Sequence, residues 1–172
     1  MKYKITTLYY ILATVVTVIP LPWWYYNAGD IIRVEDSPFQ ILITFLGDRL
    51  ILSDVITFLL TGFRIYVFVI LISYAVQAAR GNPKIYSTMF WLPVLYLLDP
   101  VILYVLFNFI PQLFDVPMNY PLFFFGTETI SSNIKGEQVK IEFVMYPTYV
   151  YWLSLATALL YPFSRIEIKR RK

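Results

Sequence analysis

The sequence predicts an all-α membrane bundle of four transmembrane helices, carrying a small extracytoplasmic β cap made by the 1–2 and 3–4 loops. Three observations lead there. Hydrophobic residues fill 59% of 172 positions and mean hydropathy is +0.64, and several apolar runs approach the ~20 residues that cross a hydrocarbon core of about 30 Å. Cations gather in three short stretches, at the head, in a central turn and in the tail. The two polar segments between them hold strand-like runs bounded by turn residues. The expected organisation is a single domain, 1–172, with spans at about 5–26, 54–79, 85–111 and 146–164. The outer segments are 27–53 and 112–145.

The first span follows the basic head Met1–Lys4. Its apolar run, Ile5–Leu21, ends in Pro20, Leu21 and Pro22 and the cluster Trp23, Trp24, Tyr25 and Tyr26. A cleaved signal needs small residues at the cut, and four large aromatics stand there instead. Trp and Tyr mark a membrane–water boundary, so the run reads as a retained anchor. Thr14 and Thr17 are expected to bond back to their own helix carbonyls.

In the first outer segment, Asp30–Glu35 is short and β-branched, and Ser37-Pro38 breaks the chain. Phe39–Leu46 is rich in strand formers. Two arrangements suit the next residues: a hairpin of Ile41–Leu46 against Arg49–Leu52, or a second span that begins early, near Asp48.

The central hairpin carries the candidate site. Asp54 suits an N-cap, and 55–79 gives roughly 37 Å of helix. Arg80–Lys84 contains Gly81, Asn82 and Pro83, a helix-stop combination. Span three holds Pro93 and Pro100, which should kink it, and Asp99 stands at the second break. Counted from the shared turn, Arg64 and Asp99 lie at nearly equal depth, roughly 24 and 22 Å along antiparallel helices. A lone charge there costs about 3 kcal/mol on insertion scales, so an Arg64–Asp99 ion pair is expected. Ser53, Thr57 and Thr61 share a helix face with Arg64 and line the approach. Tyr96, one turn from Asp99, could add a hydrogen bond. Such a pair serves either to fix helix register or as a proton, ion or substrate site.

Beyond it, Leu122–Ile130 and Val139–Met145 read as a strand pair around the loop Ser131–Gly136. In the second strand Val139, Ile141, Phe143 and Met145 alternate with Lys140, Glu142 and Val144. Span four carries the small residues Ser154, Ala156, Thr157 and Ala158, which permit close helix contact. Its tail holds Arg165, Lys169, Arg170, Arg171 and Lys172, a set that touches anionic lipids. Together with Lys2, Lys4, Arg80 and Lys84 these are nine of the 14 cations. The positive-inside rule then puts both termini in the cytoplasm of a plasma-membrane protein.

The composition also removes chemistries. Absent Cys excludes disulfides, thiolate metal sites and thiol catalysis. Absent His removes the usual haem and zinc ligand and the usual general base. A net charge of +3 gives no basis for nucleic-acid binding. The carboxylates Asp54, Asp99 and Asp115 form no convincing acid pair. The sequence therefore implies no catalytic residue, no cofactor and no metal. It points to a non-catalytic subunit or interaction partner of a larger membrane complex. Its partners would be the lipid bilayer and a membrane protein or a second copy of the chain. The alternative is a small transporter or channel component using Arg64 and Asp99.

Overall fold

The computed structural model describes residues 2–83, 126–134 and 137–171, with helical positions at 98, 101, 102, 104, 105, 108, 109 and 112. The chain is not the all-α four-span bundle that its sequence predicts. Its described elements are three helices and a six-stranded antiparallel sheet. They run α1 (Lys4–Val18), β1 (Trp24–Ala28), β2 (Ile32–Ser37), β3 (Gln40–Phe45), β4 (Asp48–Arg49), α2 (Ile51–Ala79), β5 (Gly126–Ile134), β6 (Glu137–Pro147) and α3 (Tyr149–Arg171). Only α2, among the described residues, is a helix long and apolar enough to cross a membrane.

The discrepancy begins at the aromatic cluster. The span expected at 5–26 stops as helix at Val18, because Ile19 is extended ahead of Pro20. Fifteen residues give about 22 Å of helix, short of a bilayer core. Trp24, Tyr25 and Tyr26 are not a helix-end belt; they form β1, an inner strand of the sheet. Aromatic residues suit a half-buried pleated surface as well as an interface.

The strands run in the order β4-β3-β2-β1-β6-β5. β1 to β4 form a meander, and the hairpin β5–β6 joins it where Tyr26 faces Met145. The expected outer hairpin is therefore part of one continuous sheet. β6 keeps its predicted alternation, with Met145 buried and Lys140 and Glu142 exposed. As described, β5 runs past the expected end at Ile130, through Ser131–Ile134. At β3–β4 the hairpin is only two residue pairs long and Ile51 and Leu52 already belong to α2, so each of the two expected arrangements is met in part. Leu46 and Gly47 turn the hairpin with φ of 50° and 90°. Two positive φ values match the right-handed strand twist; glycine adopts its value freely and Leu46 does not.

α2 begins at Ile51, before Asp54, so Asp54 is not its N-cap. Asp54 lies in the first turn, where a carboxylate suits the helix dipole, and pairs with Arg49 at 2.6 Å. The predicted stop is present. Gly81, at φ 83°, donates to the Ala78 carbonyl, and Asn82 donates to that of Gln77. This is the Schellman closure, in which glycine takes the left-handed position.

α3 starts behind a side-chain cap. The Thr148 hydroxyl accepts from the Val150 amide and donates to the Pro22 carbonyl. The helix runs on to Arg171, past the expected end at 164, with Pro162 inside it. Expected span three, with Pro93, Tyr96, Asp99 and Pro100, lies largely outside the described residues.

α1 packs between α2 and α3. Tyr10 meets Tyr74 of α2 at 5.6 Å between ring centroids, and Tyr9 meets Tyr161 of α3 at 5.5 Å. The core continues into the sheet through Trp24, whose ring lies 4.9 Å from that of Tyr151. The molecule thus has a helical stem and a β head, joined by buried aromatics.

Candidate functional site

Of the predicted polar stripe on α2, Thr57 and Arg64 meet the sheet. Thr57 donates its hydroxyl to the Ile41 carbonyl at 2.7 Å and accepts from the Ile41 amide at 3.1 Å. β4 covers β3 only at Thr44 and Phe45, so the rest of that edge would present open backbone groups. One threonine hydroxyl satisfies both groups of Ile41. Seven residues on, Arg64 donates to Gln40 Oε1 at 3.3 Å and stacks over the Phe39 ring at 5.4 Å. Ser53 and Thr61 bond back to the carbonyls of Leu50 and Thr57.

Thr57 and Arg64 clasp the β2–β3 turn from α2, while Thr61 is exposed. Arg64 Nε has no hydrogen bond among the described residues. The predicted partner Asp99, with Tyr96, lies outside the described residues.

A second arrangement escapes sequence reasoning. α1 begins at Tyr3 without a side-chain cap of its own. Its open amides are met by Glu167, from the last turns of α3. Glu167 Oε2 accepts from the Thr6 amide at 2.8 Å and the Thr6 hydroxyl at 2.9 Å. Ser164 closes the group by donating to Thr6 Oγ1 at 3.2 Å. A carboxylate at a helix N-terminus satisfies orphan donors and complements the dipole. Burial alone would push the Glu167 carboxyl up. The bonds from Thr6 and the Ile5 amide, with the charge of Arg171, outweigh it and hold the group below its ordinary value. A single acid within a run of tail cations was the one signal for this role.

The stem buries small polar side chains among its aromatic and aliphatic core and is apolar outside. Thr6, Thr7, Thr17, Ser154, Thr157, Ser164 and Glu167 are buried. Thr7, Thr17, Ser154 and Thr157 donate to carbonyls of their own helices, and Thr14 does the same, as the sequence predicts for Thr14 and Thr17. Meanwhile Leu8, Ile11 and Val15 on α1, Phe58, Leu59 and Val69 on α2, and Leu159, Phe163 and Ile166 on α3 are exposed.

The head has the ordinary polarity. Its inner face buries Trp24, Tyr26, Val34 and Met145. Its outer face carries a polar groove of about 500 Å³ lined by Asn27, Asp30, Arg33, Glu35, Leu42, Thr44, Gly47 and Arg49. Arg33 pairs with Glu35 at 2.6 Å and lies over the Tyr25 ring at 4.9 Å. Tyr25 in turn stacks on Tyr146 at 4.8 Å. No group of three or more metal-ligating side chains occurs among the described residues.

Family models, curated proteins and solved structures were compared with the chain, and none matches it.

Proposed function

We propose that this chain is a non-catalytic integral membrane protein, a small subunit or interaction partner of a larger membrane complex. Its helical stem sits in the bilayer, with α2 as the crossing helix, and its β head contacts the partner. The carrying observation is the apolar outer surface of the stem, together with buried hydroxyls that bond to helix carbonyls. Hydroxyls turned inward and large aliphatic and aromatic side chains turned outward suit a lipid solvent, where only buried polar groups need partners.

The outer face of the head supports the docking role. Tyr25, Tyr146, Arg33 and Arg49 lie close together there, and Tyr and Arg are the residue types that dominate interface energetics. Lys2, Lys4, Arg80, Arg165, Lys169, Arg170 and Arg171 all belong to the end of the stem away from the head. That asymmetry supports a cytoplasmic end for the crossing helix α2 and a head outside the plasma membrane.

The test is purification of the full chain in mild detergent from its native membrane. A stoichiometric companion should co-purify with wild type and be lost on Arg33→Ala or Tyr146→Ala. A monomer with no companion, or a companion indifferent to both substitutions, counts against the reading.

A second reading, a small transporter or channel component using Arg64 and Asp99, has one observation in its favour. Arg64 is half-buried and its Nε makes no hydrogen bond among the described residues. Asp99→Asn would then abolish ion or proton flux in liposomes and leave the fold intact.

A further inference from the structure

The distal end of the stem holds a cavity of about 440 Å³ lined by Ile5, Phe163, Ile166, Glu167, Arg170 and Arg171. That volume lies within the ~300–1,000 Å³ typical of small-ligand sites. One wall is aliphatic and aromatic, and the rim is basic. We propose that this cavity binds an anionic phospholipid, its phosphate between Arg170 and Arg171 and the start of its acyl chain against Ile5, Phe163 and Ile166.

The reason the arginines are available lies in the cap of α1. Glu167 would be the natural partner of Arg171 one turn away. Its Oε2 is committed to Thr6, and Arg171 reaches only Oε1, at 3.9 Å, too far for a hydrogen bond. Arg170 is exposed, with no ion-pair partner among the described residues. The guanidinium donors of both suit a phosphate, which takes them in bidentate fashion.

Depth supports a lipid as the source of that phosphate. Tyr10 and Tyr74 touch across antiparallel helices, so six residues further along each, roughly 9 Å, Lys4 stands level with Arg80. The Thr6–Glu167 contact puts Arg170 and Arg171 at the same level. This is where the membrane-crossing helix ends. Glu167 is the only acid at that end among the described residues, so a headgroup without its own cation fits best.

The proposal rests on the membrane reading of the stem, and the experiment separates the two. The full chain is reconstituted into nanodiscs of phosphatidylcholine alone and of phosphatidylcholine mixed with phosphatidylglycerol, and the lipids retained by the protein are measured by native mass spectrometry. Wild type should insert into both and enrich phosphatidylglycerol. Arg170→Gln with Arg171→Gln should lower that enrichment about tenfold, which corresponds to ~1.4 kcal/mol, whereas Arg170→Lys with Arg171→Lys should retain part of it. Lys2→Gln with Lys4→Gln removes equal charge outside the cavity and should leave most of the enrichment. Phe163→Ala, with all charges kept, should also weaken it.

Equal losses in the arginine and lysine pairs would overturn the site in favour of diffuse surface attraction. Complete competition by inorganic phosphate would overturn the lipid as its occupant. Insertion without any enrichment would overturn the site and leave the membrane reading standing. Failure to insert into either bilayer would overturn both.

Discussion

In the head, Val34 and Met145 are buried while Lys140 and Glu142 face outward; in the stem, Thr17, Ser154 and Thr157 are buried while Phe58, Leu59 and Leu159 face outward. The two regions share one hydrophobic core and differ at their surfaces, polar on the head and apolar on the stem. A surface is chosen against its solvent. In water the polar side chains belong outside. In hydrocarbon they belong wherever a carbonyl can accept from them, which in a helix is one turn back. The stem therefore satisfies most of its hydroxyls within their own helices, and the head carries its polar groups on the outer groove.

Substitutions at four positions test this contrast, from the largest effect down. Trp24 is fully buried where head meets stem. Trp24→Ala should cost about 3–5 kcal/mol, read as lost thermal stability in detergent; two transitions, one for each region, would show that they do not share a core.

Glu167→Ala leaves buried α1 amides without an acceptor, at a cost of about 2–3 kcal/mol, while Glu167→Gln keeps an oxygen for Thr6 and should retain more than half of the stability. Because the folded carboxyl titrates below its ordinary value, its contribution is fully present above the unfolded carboxylate range and is lost as pH falls through the folded value. The Gln variant should therefore lack that part of the acid destabilisation. An unchanged acid profile would assign the sensitivity to other carboxylates.

At the seam, Thr57→Val removes the hydroxyl that serves both backbone groups of Ile41 and should cost about 1–2 kcal/mol. The Ile41 amide should then exchange with solvent faster than its neighbours in β3. The smallest effect on stability belongs to Phe58, 78% exposed. Phe58→Asn should change stability in micelles by no more than about 0.5 kcal/mol and yet move the protein towards the aqueous phase in detergent phase separation. If it destabilised the micellar protein as a core substitution does, the outward apolar face would be packing rather than lipid contact.

Local signals were legible in the sequence and distant ones were not. The alternation in β6, the break at Ser37-Pro38 and the stop at Gly81 and Asn82 depend on neighbouring residues, and the structure keeps all three. The target of Thr57 and Arg64 was not legible, because Phe39–Leu46 reads as a strand of an outer cap and nothing local sets Gln40 and Ile41 against α2. Trp23–Tyr26 has the same composition whether it borders a membrane or pairs with β6, and the partner at Tyr146 and Met145 lies far along the chain. Glu167 was hidden among tail cations, 161 residues from the amide that it caps.

That separation has a consequence for biosynthesis. β1 waits for β6 and the amides of α1 wait for Glu167, so both ends of the molecule are closed by its C-terminal part. Until that part leaves the ribosome, the nascent chain carries an open strand edge at one end and an uncapped helix at the other. A prematurely terminated product is thus marked twice as incomplete, by features that a chaperone or protease recognises without reading its sequence.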